Sequence, residues 1–448
     1  SGLRINTAAD DAAGTSISTK LESQIRGLTQ AIRNAEDGQN LIDTVEGAHV
    51  EILNSLQRLR ELAVQSSNAS NDSLDRNFIN AEATQLILEI NRIASDTQWN
   101  DMNVLDGTFT SKSFQIGNEA LQKVDVTVTD VSAAKIGAYE ISGFGLFDSA
   151  TGCASAQSSA ITGTDIIVAG YLGTSTLAVD ANDQAKDVVA LFNAQTSSTG
   201  VDAKAVTHAR LQSISASGTV DLTIGLNGST ATAVTVTATV TTDDLTALRD
   251  AINAAAGETG VTAETTNGDL DRILLRDIDG DSIVLSNFNH STGSATIGAV
   301  AYDFIGTTAT DSQFTLTQGG TDSVTVNGAI KLNSHENFRL STVGAGEFFS
   351  STATSVNASL STVGTVDLTT SANAQNAIDV LDGAINAIND QRSYLGAISN
   401  RLDKTINNLS NIVENTTESK SHIADADFAA ETSRLTKSQI LSQAATSM

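Results

Sequence analysis

IDVLDGAINAINDQRSYLGAISNRLDKTINNLSNIV, residues 378–413, decides the fold. Ile378, Leu381, Ile385, Ile388, Leu395, Leu402, Ile406, Leu409 and Val413 occupy the a and d positions of a heptad, and only Arg392 and Ser399 break the apolar a series. So sustained a seam predicts one long helix that buries it against other helices. Arg392 either sets the register of that pairing at some cost in stability or carries its guanidinium out to solvent on an apolar stem.

A partner for the seam stands at the other end of the chain. From about Thr7, with Asp10 three residues on as a capping-box candidate, Leu21, Ile25, Leu28, Ile32, Ala35 and Ile42 recur mostly at steps of three and four. The pattern continues through Val45, Ile52, Leu56 and Leu59 to the polar run SSNASND; Leu74, Phe78, Ala81 and Ile90 then mark a second helix that closes near SDTQWND. NVLDGTF, SFQIGN and VDVTVTD place turn residues between short alternating runs, which predicts a β-hairpin.

The expected fold is α+β and multidomain. Both chain ends fold together into an elongated antiparallel helical bundle, a coiled-coil rod carrying the β-hairpin, and a β-rich central region is inserted between them. In residues, 1–135 and 351–448 supply the two halves of the rod, and 136–350 the central region.

Within that central region Thr, Val, Gly and Asp alternate, as in TVDLTIGLNG and TAVTVTATVT, the pattern of half-buried strands. FNAQTSSTGVDAKAV from Phe192 and INAAAGETGVTAETT from Ile252 align without a gap at an offset of 60 residues, matching Asn193 with Asn253, Gly200 with Gly260 and Val201 with Val261. Each copy, near 183–224 and 243–285, predicts a short helix, a glycine turn and a strand, so two related α/β lobes are expected.

Composition limits the function. The 448 residues exceed the size of one core, and 25 Lys plus Arg against 52 Asp plus Glu give a net charge of −27, which repels phosphate backbones and anionic lipid. Nucleic acid is therefore excluded as a partner, and no apolar run long enough for membrane insertion occurs. Cys153 is the only cysteine, so no intrachain disulfide and no cysteine-based metal centre can form. Proline is absent; this suits a chain that crosses a narrow channel unfolded and then folds without slow isomerisation, and compositional bias explains it equally.

Catalytic patterns are missing. His49, His208, His290, His335 and His422 are scattered without metal-ligand spacing, there is no nucleophile elbow or phosphate loop, and SGFGLF lacks the third glycine of a dinucleotide fingerprint. The chain does not read as an enzyme and calls for no cofactor. One acidic constellation stands out: in DIDGDS, Asp277, Asp279 and Asp281 alternate and would offer three hard oxygens to Ca²⁺ in a tight turn. A type I′ or related hairpin turn through Asp279 and Gly280 accounts for the same letters. A glycan ligand for the central lobes is conceivable, although the region is poor in the aromatic platforms that sugar sites use.

LQRLRELAVQ, residues 56–65, adds a polar face. Leu56, Leu59 and Ala63 keep the core spacing, while Gln57, Arg58, Arg60, Glu61 and Gln65 crowd the rest, either as a contact surface or as a solvated flank.

That stretch, with SGLRINTAADDAAG from Ser1, GLTQAIRNAEDG from Gly27 and VEGAHVEI from Val45, resembles the N-terminal region of bacterial flagellin. LGAISNRLDKTINNLSNIVENTTESKSHIADADFAAETSRLTKSQILSQAATSM from Leu395 is similar to the flagellin C-terminal region, and the repeats look like small insertion modules of variable flagellin and flagellar cap regions. The resemblance implies a secreted, extracellular structural subunit that self-assembles through its rod into the bacterial flagellum and supports motility. Its implied partners are other flagellin subunits, an export chaperone, the flagellar cap and a Toll-like innate receptor. Gln57, Arg58, Arg60 and Glu61 would face neighbouring subunits, and Arg58, Leu62 and Glu82 fall on the positions that meet the receptor. Family chains carry further helical segments before SGLRIN and after QAATSM, so the chain as given is expected to stay monomeric where a complete protein polymerises. The alternative reading is a flagellin-like surface adhesin or glycan-binding protein that uses its central region.

Overall fold

The computed structural model describes residues 4–5, 7, 9–143, 147–150, 163, 165–226, 233–265, 269–310, 313–342, 349 and 355–447, with backbone alone for 147–150, 342 and 447. Cys153 and residues 144–146 of SGFGLF lie outside these residues. The chain forms two compact units, one of Ser1–Leu53, Asn91–Ser132 and Ile388–Met448, the other of Asn54–Ile90 and Ala133–Ala387.

The first unit is helical. Helix α1 (Ala12–Ser67) opens on Asp11, whose Oδ1 accepts the amides of Ala13 and Gly14 at 3.1 and 2.9 Å. The predicted Thr7–Asp10 pair instead closes a turn one step earlier, with Asp10 Oδ2 accepting the Thr7 amide at 2.8 Å. After α2 (Ser73–Asp96) come the hairpin strands β1 (Lys112–Gln115) and β2 (Lys123–Val126), antiparallel as the turn spacing requires. The C-terminal α7 (Ser371–Ala424) and α8 (Phe428–Ser447) belong largely to this unit, and α8 is exposed along its described length. Leu395, Leu402 and Leu409, all d residues of the heptad, are buried. Leu28, Ala31 and Leu409 share a core cluster flanked by Ile32, Ile412 and Val413. The pairs Glu22 with Lys420, Gln39 with Asp403 and Glu46 with Arg392 run in opposite directions along α1 and α7, so the two helices are antiparallel. Arg392 does not end free in solvent: its Nε donates to Glu46 Oε1 at 2.8 Å, a contact that favours one register.

The second unit holds the end of α1, most of α2, the central strands and the start of α7. Asp72 caps α2, its Oδ1 accepting the amides of Leu74 and Asp75, both at 2.8 Å. The α2 stripe differs from expectation. Ile79, Ala83 and Ile90 are buried, whereas Leu74, Phe78 and Ala81 are exposed, because the helix turns a second and less regular apolar row toward its neighbours.

Central strands follow in order: β3 (Gly137–Ser142), β4 (Ile166–Ala169), β5 (Thr174–Leu177), β6 (Asp202–Gln212), β7 (Gly218–Leu226), β8 (Val234–Val240), β9 (Thr262–Thr265), β10 (Arg272–Asp277), β11 (Ile283–His290), β12 (Ala329–Ser334), β13 (Arg339–Thr342) and β14 (Ser359–Thr362). An antiparallel sheet runs β9-β10-β6-β12-β3-β14; β8-β7-β11 and β13-β4-β5 belong to two others. Helix α7 lies so close on β3 that a Cβ on Gly383 would sit 2.7 Å from the Gly137 carbonyl oxygen, so only glycine fits there.

The repeat is structural. In the first copy α3 (Ala185–Ala194) and the single turn α4 (Thr196–Thr199) lead through Gly200, at φ +74°, into β6. In the second, α5 (Thr246–Ala254) and α6 (Ala256–Thr259) lead through Gly260, also at φ +74°, into β9. Glycine is favoured at both because that left-handed backbone costs a residue with a Cβ roughly 1–2 kcal/mol. The copies bury separate cores: Val188, Phe192, Val201 and Ala203 join one cluster, and Leu248, Ile252, Val261 and Ala263 the other.

Candidate subunit-contact face

Within the second unit, the last turns of α1 bury Leu56, Leu59 and Ala63 completely, as the spacing requires. Leu62 is 1% exposed as well: the apolar stripe here is wide enough to take both Leu59 and Leu62 inward.

The polar residues of LQRLRELAVQ stay outside. Gln57, Arg58, Arg60 and Glu61 are exposed, as is Glu82 on α2. Arg58 is the hub: Nη1 donates to Glu61 Oε2 at 2.8 Å, and Nε and Nη2 donate to Glu82 Oε1 at 3.0 and 2.8 Å. These bonds from Glu61 and Glu82 raise the Arg58 pKa above its usual value. Arg60 turns to α7 and grips Asp382 with two bonds, at 2.6 Å from Nε and 3.3 Å from Nη2. All these groups are about half exposed, so each pair contributes little to stability; the arrangement orients the side chains more than it holds the fold.

Backbone caps fix the helices that present this face. Arg76 of α2 donates from Nε to the Ser66 carbonyl and from Nη2 to the Asn68 carbonyl, both at 3.0 Å, which satisfies acceptors at the end of α1. Ser66 Oγ in turn donates to the Leu368 carbonyl at 2.6 Å. Where these two helices run through the second unit, four large apolar side chains remain exposed: Val64, Leu74, Leu88 and Phe78, the last at 67%. Sequence spacing alone assigned Leu74 and Phe78 to a helix without showing that they face outward.

The acidic constellation has its own partners within the fold. No group of three or more His, Cys, Asp or Glu able to hold a metal occurs among the described residues. Asp281 Oδ2 instead accepts from Lys186 Nζ at 2.9 Å, and Asp277 Oδ2 accepts the Asp281 amide at 2.8 Å. The segment is a turn with Gly280 at φ +78°, packed so tightly that a Cβ there would lie 2.3 Å from Ala205 Cβ. It is not a hairpin either, since β10 and β11 belong to different sheets. The letters that suggested Ca²⁺ serve a crossover.

Comparison with known proteins agrees with this architecture. The bacterial flagellin N-terminal helical region matches residues 1–110, the flagellin C-terminal helical region 378–448, and the flagellin hook IN motif 221–276, which contains much of the second repeat copy. B-type flagellin of Pseudomonas aeruginosa is 35% identical across 100% of this chain and 90% of its own length; flagellin of Salmonella typhimurium is 33% identical with the same coverage. The solved structure of FliC from Burkholderia pseudomallei aligns at 19% identity over 81% of this chain and 99% of that one, with a TM-score of 0.33, too distant to bear on the argument. With both helical ends matched and whole-chain relatives above 30% identity, the chain belongs to the bacterial flagellin family, the structural subunits of the flagellar filament.

Proposed function

We propose that this flagellin polymerises through the face built by Gln57, Arg58, Arg60, Glu61 and Glu82, with Phe78 and Leu74 supplying apolar contact beside it. The observation that carries the reading is the Arg58 hub: a preset arginine with two carboxylates, about half exposed, on helices that also leave large apolar groups in solvent. Polar groups in such a face give register, and apolar ones give affinity. The same surface suits the Toll-like receptor through Arg58 and Glu82. An export chaperone and the flagellar cap complete the proposed partners, as they do for a subunit exported through the flagellar channel and added at the growing tip. The division into 1–135, 136–350 and 351–448 is retained as the functional one, with the central part decorating the filament. Nothing in the family assignment supports an adhesin acting outside a filament.

The test is expression of the gene that encodes this chain in a bacterium lacking its own flagellin, with filaments counted by electron microscopy. Wild type should restore filaments, and Arg58→Glu should shorten or abolish them while thermal unfolding changes little. Full-length filaments from Arg58→Glu together with Phe78→Ser would remove this face from assembly.

A further inference from the structure

The second unit contains a buried charged cluster that filament assembly does not explain. Lys331, on β12, is 1% exposed. Its ammonium meets Glu140 Oε1 at 2.8 Å and Asp379 Oδ2 at 3.2 Å, touches the side-chain oxygen of Asn376, and lies 5.8 Å from the centre of the Phe304 ring. Both carboxylates are buried. The groups come from three elements. Glu140 is on β3, which pairs with β12 in the register Asn333 to Glu140, and Asn376 and Asp379 stand three residues apart on the same face of α7. Lys204 of β6, directly opposite Lys331 in the sheet, takes the other oxygen of Asp379.

Burying an amine among carboxylates is expensive, and a pair of apolar residues usually serves stability as well. This cluster offers chemistry in return. An amine held against a carboxamide, with a carboxylate to shuttle protons, is arranged for acyl transfer. We propose that Lys331 and Asn376 form an intramolecular isopeptide bond, with Glu140 as its catalytic acid–base.

The step balances within the cluster. Glu140 takes a proton from the Lys331 ammonium, and the freed lone pair on Nζ attacks Cγ of Asn376. The tetrahedral carbon passes a second Nζ proton to Nδ2, the Cγ–Nδ2 bond breaks, and ammonia departs. It leaves as ammonium with the proton Glu140 had taken, so no oxidant or co-reactant is needed. Asn376 also lines a cavity of about 540 Å³ together with Lys204, Arg276, Phe304 and Asp379, which gives the ammonia a way out. The product ties β12 covalently to α7. With a single cysteine, this chain has no disulfide with which to make such a tie.

Intact-mass spectrometry of the purified, folded protein tests this. The mass should fall below that of the sequence by one ammonia, and a tryptic digest should yield a branched peptide joining Lys331 to Asn376, uncleaved after Lys331. Glu140→Gln and Lys331→Met should both restore the full sequence mass. A wild-type mass equal to the sequence mass overturns the proposal whether or not either variant folds. Loss of one water mapped to Lys331 and Asp379 would overturn the assignment to Asn376, and full cross-linking of Glu140→Gln would overturn the role of Glu140.

Discussion

Sixty residues apart, the two repeat copies solve one backbone problem in the same way and two packing problems differently. In each, an asparagine at the end of the helix clips the strand that follows: Asn193 Nδ2 donates to the Ala203 carbonyl at 3.1 Å and its Oδ1 accepts the Ala203 amide at 2.9 Å, while Asn253 does the same with Ala263 at 2.8 and 2.8 Å. Thr199 and Thr259 each donate back to a carbonyl four residues earlier at 3.0 Å. Yet Phe192 fills the first core where Ile252 fills the second. Polar turn chemistry is therefore the shared part of the module, and apolar volume is fitted to whichever sheets surround it.

The largest effect should come from the part that differs. Phe192→Ala should cost about 3–5 kcal/mol and Ile252→Ala about 2–5 kcal/mol, since both are fully buried and each belongs to its own cluster. Urea unfolding measures both. Because the clusters share no residue, the double variant should be additive; a strong coupling energy would show that the copies behave as one core.

Next in size is the glycine pair, where shared backbone meets unequal surroundings. Alanine at either position adopts a left-handed conformation costing roughly 1–2 kcal/mol. At Gly200 the new Cβ would also fall 1.9 Å from Tyr171 Cε1, whereas at Gly260 the nearest atom is Leu226 Cδ1 at 3.0 Å. Gly200→Ala should thus lower the melting temperature more than Gly260→Ala. Equal shifts would mean that Tyr171, partly exposed, swings aside at no cost.

Asn193→Ala and Asn253→Ala should cost nearly the same, about 1–3 kcal/mol each, because each strands one strand amide and one carbonyl. Hydrogen exchange at the Ala203 and Ala263 amides checks it. Acceleration at only one of them would break the equivalence that the offset implies.

How much of this was legible in the sequence depended on the reach of the interaction. The heptad placed Leu381, Ile388, Leu395, Leu402 and Leu409 inside because a repeat of seven records its own partner's geometry, and all five are buried. The repeat was legible for the same reason, since Asn193 and Gly200 act within a dozen residues of themselves. Leu74 and Phe78 kept helical spacing too, but α2 carries two apolar rows, and which one turns inward depends on neighbours far along the chain. Leu62 entered only through the resemblance, as a receptor-contact position, and spacing did not show that the side chain turns inward beside Leu59. DIDGDS looked like a ligand set because spacing does not show that Lys186, 95 residues away, takes Asp281. Lys331 was invisible: its partners Glu140, Asn376 and Asp379 come from three separate stretches, and only the fold brings them together.

Acid should separate the copies through a residue that only one possesses. His208 lies on β6, the strand that continues the first copy; sixty residues on the sequence has Gly268. Burial, assisted by the Arg276 charge, lowers its pKa from 6.5 to about 4, against the Asp303 carbonyl, which lies 3.2 Å from Nδ1, and the Asp303 charge. A histidine lowered in this way binds fewer protons folded than unfolded between those two values. Stability is therefore complete above pH 6.5 and is lost as the pH falls toward 4, by about 2 kcal/mol at pH 5. His49, on α1 in the helical unit, is lowered to about 4 by burial as well, so global unfolding mixes two such losses. Comparing His208→Gln with wild type separates them. The variant should lose about 2 kcal/mol less between pH 7 and pH 5, and amides of β6 should gain acid protection while those of β9 do not change. Acid sensitivity of β6 that persists in His208→Gln would place the titrating group elsewhere and leave the two copies alike in this respect.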